Sequence, residues 1–192
     1  MNAGALALAL LMIGAGAESA DAPPTPSAVF NLTVPDVPVV DQNGRTLRFY
    51  SDLVKGRTVA INFIFTSCTT ICPQLTLAMR RTQEVLGQRV GRDVFLLSIS
   101  VDPARDVPER LRAFAATFGA GPGWTFVTGR NADIARLLKA LGNTGGGADH
   151  TTTVLIGNEP AGHWMRSSGL ASVATNMKLI LAAAAAKSPR RF

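Results

Sequence analysis

The chain of 192 residues has little of several residue types, and each shortage narrows the functions it can serve. Only two cysteines and two histidines are present, so any thiol or imidazole site must use these few positions. No basic stripe is interleaved with aromatic side chains, so we do not expect nucleic acid as a partner. Charged residues make up only 17% of the sequence, which argues against a disordered chain.

The N-terminal apolar run, residues 3–13, is shorter than the roughly 20 residues that a membrane-spanning helix needs. A small-residue Ala-Gly-Ala sequence follows it, as at signal peptidase sites, although no Lys or Arg precedes the run. We therefore predict a signal peptide or truncated anchor over residues 1–17 and a proline-rich linker over 18–27. The protein is expected to be exported, in the periplasm or on the outer face of the inner membrane, either soluble or tethered.

The rest of the chain is expected to form one domain. Hydrophobic residues make up 47% of the sequence, which is enough for a full core, and the length is typical of a single domain. We place this domain at residues 28–187 and interpret residues 188–192 as a solvated basic tail.

Apolar patterning predicts the order of the secondary structure. Asn43 and Gly44 lie between two extended runs and indicate a β-hairpin, since both residue types tolerate positive φ. The continuous apolar runs 57–65 and 93–101 are typical of buried strands. The other predicted strands are 124–129, 152–157 and 162–166, and the predicted helices are 73–90, 108–118, 131–141 and 170–187, with Asn131 capping the third helix.

Helices that alternate with apolar strands indicate an α/β fold. The two cysteines stand at a predicted strand-to-helix turn, and the chain closes with a β-β-α unit. These features predict a single thioredoxin-like domain with an N-terminal β-hairpin.

Cys68 and Cys72 are separated by three residues, and Pro73 follows the second cysteine. Because proline disfavours helical geometry in the residue before it, we predict Cys72 as the helix N-cap and Pro73 as the first helical residue. The positive helix end would then favour a thiolate. A disulfide closing so short a loop would add only about 2 kcal/mol, so the pair is interpreted as chemical rather than structural.

Two thiolates near one another form a soft site that suits Cu(I) or Zn(II), and they usually need a further ligand. His150 precedes a predicted strand, and in a thioredoxin-like fold that loop faces the cysteine turn, so we expect it to be the third ligand. His163 lacks this placement and is interpreted as a surface or core residue. A Cys2His set suits copper, whereas a structural zinc site usually has four protein ligands. Three roles are open for Asp149: it orients His150, it contacts a partner, or it is a solvated surface residue.

Three segments resemble the Sco/SenC family of copper-binding assembly proteins: DQNGRTLRFYSDLVKGRTVAINFIFTSCTTICPQL, LLSISVDPARDVPERLRAF and ADHTTTVLIG. The resemblance implies a thioredoxin-like fold with Cys68, Cys72 and His150 as ligands of Cu(I) or Cu(II). It also implies a role in delivering copper to the binuclear copper site of cytochrome c oxidase, or in reducing the thiols of that site. The implied partners are the copper-site subunit and other copper carriers or thioredoxin-like reductants.

The second of these segments carries the family's Asp-Pro motif at Asp102, Pro103, Asp106 and Pro108. We interpret these residues as a tight turn with a helix cap rather than as catalytic groups.

Two other thiol chemistries are alternatives for this cysteine pair. A thiol-disulfide oxidoreductase would cycle Cys68 and Cys72 between dithiol and disulfide, with His150 only tuning thiolate acidity. This alternative is compatible with copper binding, because copper needs reduced thiols. A peroxiredoxin-like peroxidase is disfavoured, since neither cysteine lies in a Pro-x-x-x-Thr-x-x-Cys sequence.

Overall fold

The computed structural model describes residues 29–143 and 152–186. The strands are β1 (Pro38–Asp41), β2 (Thr46–Arg48), β3 (Thr58–Ile64), β4 (Val94–Ser100), β5 (Trp124–Thr128), β6 (Thr153–Asn158) and β7 (His163–Ser168). The helices are α1 (Ile71–Leu86), α2 (Pro108–Thr117), α3 (Asn131–Ala140) and α4 (Val173–Ala185). The predicted leader, linker and basic tail, together with Asp149 and His150, lie outside the described residues.

The seven strands of the described residues form one sheet in the order β2-β1-β5-β4-β3-β6-β7. The three central strands β5, β4 and β3 run parallel, and the strands on either side pair antiparallel. The predicted α/β class is therefore confirmed. The predicted hairpin is confirmed as well: β1 and β2 flank a turn in which Gly44 has φ of +80°, a value that glycine adopts at little cost.

The central strand β3 is buried along its whole length, as its apolar sequence predicted. Its side chains alternate between two cores, because successive residues of a strand point to opposite faces. Ile61 and Phe63 join the core on the hairpin and α3 side, whereas Ala60 and Ile64 join the core under α1, α2 and α4. Full burial of a side chain such as Ile61 contributes about 1.5–3 kcal/mol, so both layers hold β3 in place.

Two predicted helix starts and one predicted cap are wrong: α4 begins at Val173, three residues later than predicted, and the start of α1 and the cap of α3 also differ. Helix α1 begins at Ile71 with Thr70 as its N-cap, so Cys72 is helical and is not the cap. Pro73 is tolerated there because the first-turn N–H groups of a helix have no intrahelical partner, and proline loses nothing by lacking one. Helix α3 is preceded by Arg130 as N-cap, and Asn131 is already its first helical residue.

The register of the two central strands positions the functional site. Ile64, the last residue of β3, pairs with Ser100, the last residue of β4. The segments that follow these strands therefore leave the sheet side by side, and they lead into α1 and α2. In open α/β sheets, ligands bind beyond the carboxyl ends of such parallel strands. None of the helices in the described ranges is both long and apolar enough to cross a bilayer.

Candidate metal centre

The two cysteines lie in one turn and the helix start that follows it. Cys68 is in the turn after β3, where its backbone N–H donates to the carbonyl of Phe65 at 3.2 Å. The backbone N–H of Cys72 donates to the Sγ of Cys68 at 3.3 Å. The sulfur of Cys68 thus accepts from one of the N–H groups that a helix start leaves unpaired. It is Cys68, and not Cys72 as predicted, that interacts with the positive end of α1.

This arrangement separates the acidities of the two thiols. Burial raises the pKa of Cys68, but hydrogen bonds from the thiol and N–H of Cys72, and from Thr70, outweigh it and lower that pKa to about 7. Burial raises the pKa of Cys72 to about 12. The hydrogen bond to Cys68 and the negative charges of Cys68 and Asp106 also raise this pKa, whereas a hydrogen bond with the backbone of Phe65 lowers it. Near neutral pH, therefore, Cys68 is the cysteine that ionises, whereas Cys72 stays a protonated thiol.

The thiols also differ in their exposure to solvent. Cys68 retains 8% of its accessible surface, whereas Cys72 retains none, and both cysteines are in the reduced form. A reagent or partner that arrives from solvent consequently meets Cys68 first.

A buried carboxylate holds the cysteine turn against the neighbouring strand. Asp106 is fully buried and accepts hydrogen bonds from the backbone N–H of Thr66, at 3.1 and 3.2 Å, and from its hydroxyl at 2.6 Å. The hydroxyl of Ser100, at the end of β4, donates to the same carboxylate at 2.6 Å. Asp106 therefore joins the turn before Cys68 to the carboxyl end of β4.

The Asp-Pro motif was predicted as a tight turn with a helix cap, and only the first part is right. The carbonyl of Asp102 accepts from the N–H groups of Arg105 and Asp106, which closes the turn. The N-cap of α2 is Val107, which has no side chain able to cap, and Pro108 is the first helical residue. The carboxylate of Asp106 is instead turned toward the cysteine segment.

The structure describes one of the two histidines, His163. His163 is exposed on the edge strand β7, paired with Asn158, which itself pairs with the first residue of β3. It therefore lies at the opposite end of the sheet from the cysteines, and of the two interpretations, surface or core residue, the first is right. His150 is outside the described residues, and within the described ranges no three His, Cys, Asp or Glu side chains are grouped closely enough to hold a metal.

The chain after His150 is packed against the cysteine helix. Thr152, two residues past His150, accepts a hydrogen bond from the N–H of Gly169 at 2.6 Å. A Cβ placed on Gly169 would lie 2.6 Å from the Thr152 carbonyl oxygen and 2.6 Å from Cδ2 of Leu75. Leu75 is three residues past Cys72 on the same helix. Because Gly169 has no side chain, the backbone at Thr152 and the helix that carries Cys72 and Leu75 can both lie close to it.

A groove opens beside Cys68, between the cysteine turn and α2. Its volume is about 490 Å³, and it is lined by Thr66, Ser67, Cys68, Pro73, Arg110, Ala113, Phe114, Thr117 and Phe118. Cys72 does not reach it. Sequence reasoning missed the contribution of α2. The spacing of Phe114 and Phe118 could have indicated this apolar surface, because residues four positions apart share one face of a helix.

Comparison with known proteins assigns the chain to a family. The SCO1/SenC family model matches residues 31–159, about two thirds of the sequence. The chain belongs to the SCO1/SenC family. A relative from Stutzerimonas stutzeri, which is named as a copper-binding protein, is 36% identical to the chain over 109 residues. The alignment covers 57% of this chain and 52% of the relative. The chain thus spans about half the length of the curated relatives it matches.

Solved structures of the same family share the fold. A SCO1/SenC family lipoprotein of Bacillus anthracis is 26% identical with a TM-score of 0.69, covering 82% of this chain and 98% of the other. BsSco is described as a member of the Sco family of cytochrome c oxidase assembly proteins with a disulfide switch. It is 27% identical with a TM-score of 0.70, covering 83% and 98%. The thioredoxin-like prediction for this SCO1/SenC domain is confirmed.

Proposed function

We propose that this SCO1/SenC chain is a copper-binding metallochaperone. It would deliver copper to the binuclear copper site of cytochrome c oxidase, or prepare the thiols of that site. The observation that carries the proposal is the close approach of two reduced cysteines at the carboxyl end of β3, where the backbone N–H of Cys72 donates to the Sγ of Cys68 at 3.3 Å. Support comes from the name of the Stutzerimonas stutzeri relative and from the assembly family to which BsSco belongs.

The proposed ligands are Cys68, Cys72 and His150. Two thiolates are soft donors that suit Cu(I), and an imidazole supports Cu(II) after oxidation. Copper is the cargo here, so a site with three protein ligands leaves room for a thiolate of the receiving protein. Transfer would proceed by exchanging one ligand at a time.

A second function, thiol-disulfide exchange, is favoured by the separation of the two thiol pKa values. A thiolate at Cys68 attacks a partner's disulfide, forming a mixed disulfide and releasing the partner's other sulfur as a thiolate. Cys72 then loses its proton and attacks the Cys68 sulfur, which frees the partner as a dithiol and leaves a Cys68–Cys72 disulfide. The two functions are compatible, because copper binds only the reduced pair.

We also propose the place and partners of this activity. The chain would be exported and act in the periplasm or on the outer face of the inner membrane. The lipoprotein of Bacillus anthracis is a family member consistent with such a location. The partners would be the copper-site subunit of cytochrome c oxidase, together with copper carriers or thioredoxin-like reductants.

The test is copper titration of the reduced protein with Cu(I) and Cu(II) separately, following stoichiometry and sulfur-to-copper charge-transfer bands. Cys68→Ser, Cys72→Ser and His150→Ala should each weaken binding strongly, whereas His163→Ala, the matched histidine control, should bind like the wild type. Tight stoichiometric binding with unchanged bands in His150→Ala would remove that residue from the ligand set. Unchanged binding in both cysteine variants would overturn the metallochaperone, and thiol exchange would remain.

A further inference from the structure

The groove beside Cys68 gives another molecule a route to the thiol pair. Of the two cysteines only Cys68 lines it, and Cys72 is fully buried. The volume of the groove, about 490 Å³, is enough for a few residues of peptide. Within the part of the chain that the structure describes, a partner sulfur can therefore approach Cys68 along the face of α2.

The groove is mainly apolar. Phe114 and Phe118 are half-buried along it, with ring centroids 4.8 Å apart, and Pro73 and Ala113 add to the apolar lining. The polar part of the lining consists of the hydroxyl-bearing Thr66, Ser67 and Thr117, and Arg110 is the one acidic or basic residue beside the ionisable thiol of Cys68.

Arg110 is exposed, and among the described residues it has no ion pair or hydrogen-bond partner. The carboxylate nearest in sequence, Glu109, does not line the groove, and Asp106 is buried and occupied by Thr66 and Ser100. An unpaired guanidinium beside an apolar surface is complementary to an apolar segment that carries a carboxylate.

We propose that this groove binds a cysteine-bearing segment of the thiol partner, with an apolar residue against Phe114 and Phe118 and an acidic residue at Arg110. The partner's sulfur is thereby presented to Cys68. This inference rests on the proposed function, since it names the kind of partner surface that the thiol centre serves. It makes Arg110 a specificity-determining residue for exchange, rather than a ligand.

The experiment measures exchange with peptides in metal-free, reduced full-length protein carrying Cys72→Ser, so that only Cys68 reacts. Each peptide has one cysteine, activated as a mixed disulfide with thiopyridine, flanked by leucine on one side and by either glutamate or lysine on the other. The Cys68 thiolate attacks the peptide sulfur, a protein–peptide disulfide forms, and thiopyridone leaves and is followed by its absorbance. Neutral dithiodipyridine reports the intrinsic reactivity of Cys68.

We expect the glutamate peptide to react about five-fold faster than the lysine peptide at low ionic strength, and the ratio to shrink as salt is added. Arg110→Glu should invert the ratio, and dividing each peptide rate by the same protein's rate with dithiodipyridine corrects for any change in the reactivity of Cys68 itself. Arg112→Glu is the matched control, because Arg112 is exposed on the same helix but does not line the groove, and it should keep the wild-type ratio. Replacing the peptide leucine by serine should slow the reaction in all three proteins.

Equal rates for the two peptides, or an equal effect of Arg110→Glu and Arg112→Glu, would overturn the groove proposal. Copper titration of the Arg110→Glu protein with Cys72 intact separates this failure from failure of the proposed function. Normal copper stoichiometry without peptide preference would refute the groove alone. Peptide preference without copper binding would refute the metallochaperone and leave the groove standing.

Discussion

The carboxylate of Asp106 accepts hydrogen bonds from both the backbone N–H and the hydroxyl of Thr66, across 40 positions of sequence. Thr66 is two residues before Cys68, so this contact determines where the turn with the accessible thiol lies relative to β4 and α2. A buried carboxylate that is bonded on both oxygens is costly to remove, because the buried hydroxyl of Ser100 and the half-buried donors of Thr66 all lose this acceptor.

Asp106→Ala is therefore expected to destabilise the fold by about 2–3 kcal/mol, because it strands the hydroxyl of Ser100 as well as both donors of Thr66. Urea denaturation gives the change in the free energy of unfolding. Asp102→Ala is the control. Its side-chain partner is the exposed Arg105 at 3.2 Å, and such pairs contribute at most about 1 kcal/mol. An equal loss in the two variants would contradict the role given to Asp106.

Alkylation of the reduced, metal-free protein should depend on pH through Cys68. The pKa of Cys68 is lowered to about 7, so its rate should be low below pH 7, half-maximal near pH 7 and level above it. Cys72, with a pKa raised to about 12 and no exposed surface, should stay unlabelled through this range. Mass spectrometry of the peptides after brief iodoacetamide treatment checks the order. Labelling of Cys72 before Cys68 would refute this assignment.

Copper binding should release protons, and the number released should fall as pH rises. At pH 7 the Cys72 thiol is protonated and Cys68 is about half ionised, so binding of Cu(I) to both sulfurs expels more than one proton. Above the Cys68 pKa only the Cys72 proton remains to be lost, and the number approaches one. Titration in a weakly buffered solution with a pH indicator measures it. In the Cys72→Ser protein, the number of protons released per bound copper should fall to zero at high pH. If one full proton is still released there, a group other than Cys72 supplies that proton.

Gly169→Ala should disturb the thiol centre from a distance. The new Cβ would lie 2.6 Å from the Thr152 carbonyl oxygen and from Cδ2 of Leu75, which forces apart the two segments that follow His150 and Cys72. We expect a loss of about 1–3 kcal/mol in the free energy of unfolding and weaker copper binding. Thermal denaturation and copper competition measure the two effects.

The matched control is Gly121→Ala, where the nearest atom to a new Cβ is 3.5 Å away, at the side chain of Gln83. This variant should keep both the stability and the copper affinity of the wild type. If Gly169→Ala behaves in the same way, the close approach at Gly169 is not important for the centre.

Local patterning was sufficient for most of the elements. The apolar run that became β3 and the Asn43 and Gly44 turn were predicted correctly, because burial along a strand and positive φ in a tight turn are properties of neighbouring residues. The start of α1 was predicted wrongly, because the rule against a helical residue before proline is weak in the first turn. There the N–H that proline lacks would have had no intrahelical partner.

The sequence by itself determined the strand order along the chain, the fold class, the family and the two thiols four positions apart. Only the tertiary structure decided which thiol is acidic and accessible, that Asp106 holds the cysteine turn, and that Arg110 and Phe114 border the approach to Cys68. The reason is physical. The pairing of β3 with β4 brings distant segments of the chain together, and the hydrogen bonds, the burial and the lining of the groove depend on this approach. The distances between such segments cannot be predicted from the pattern of neighbouring residues.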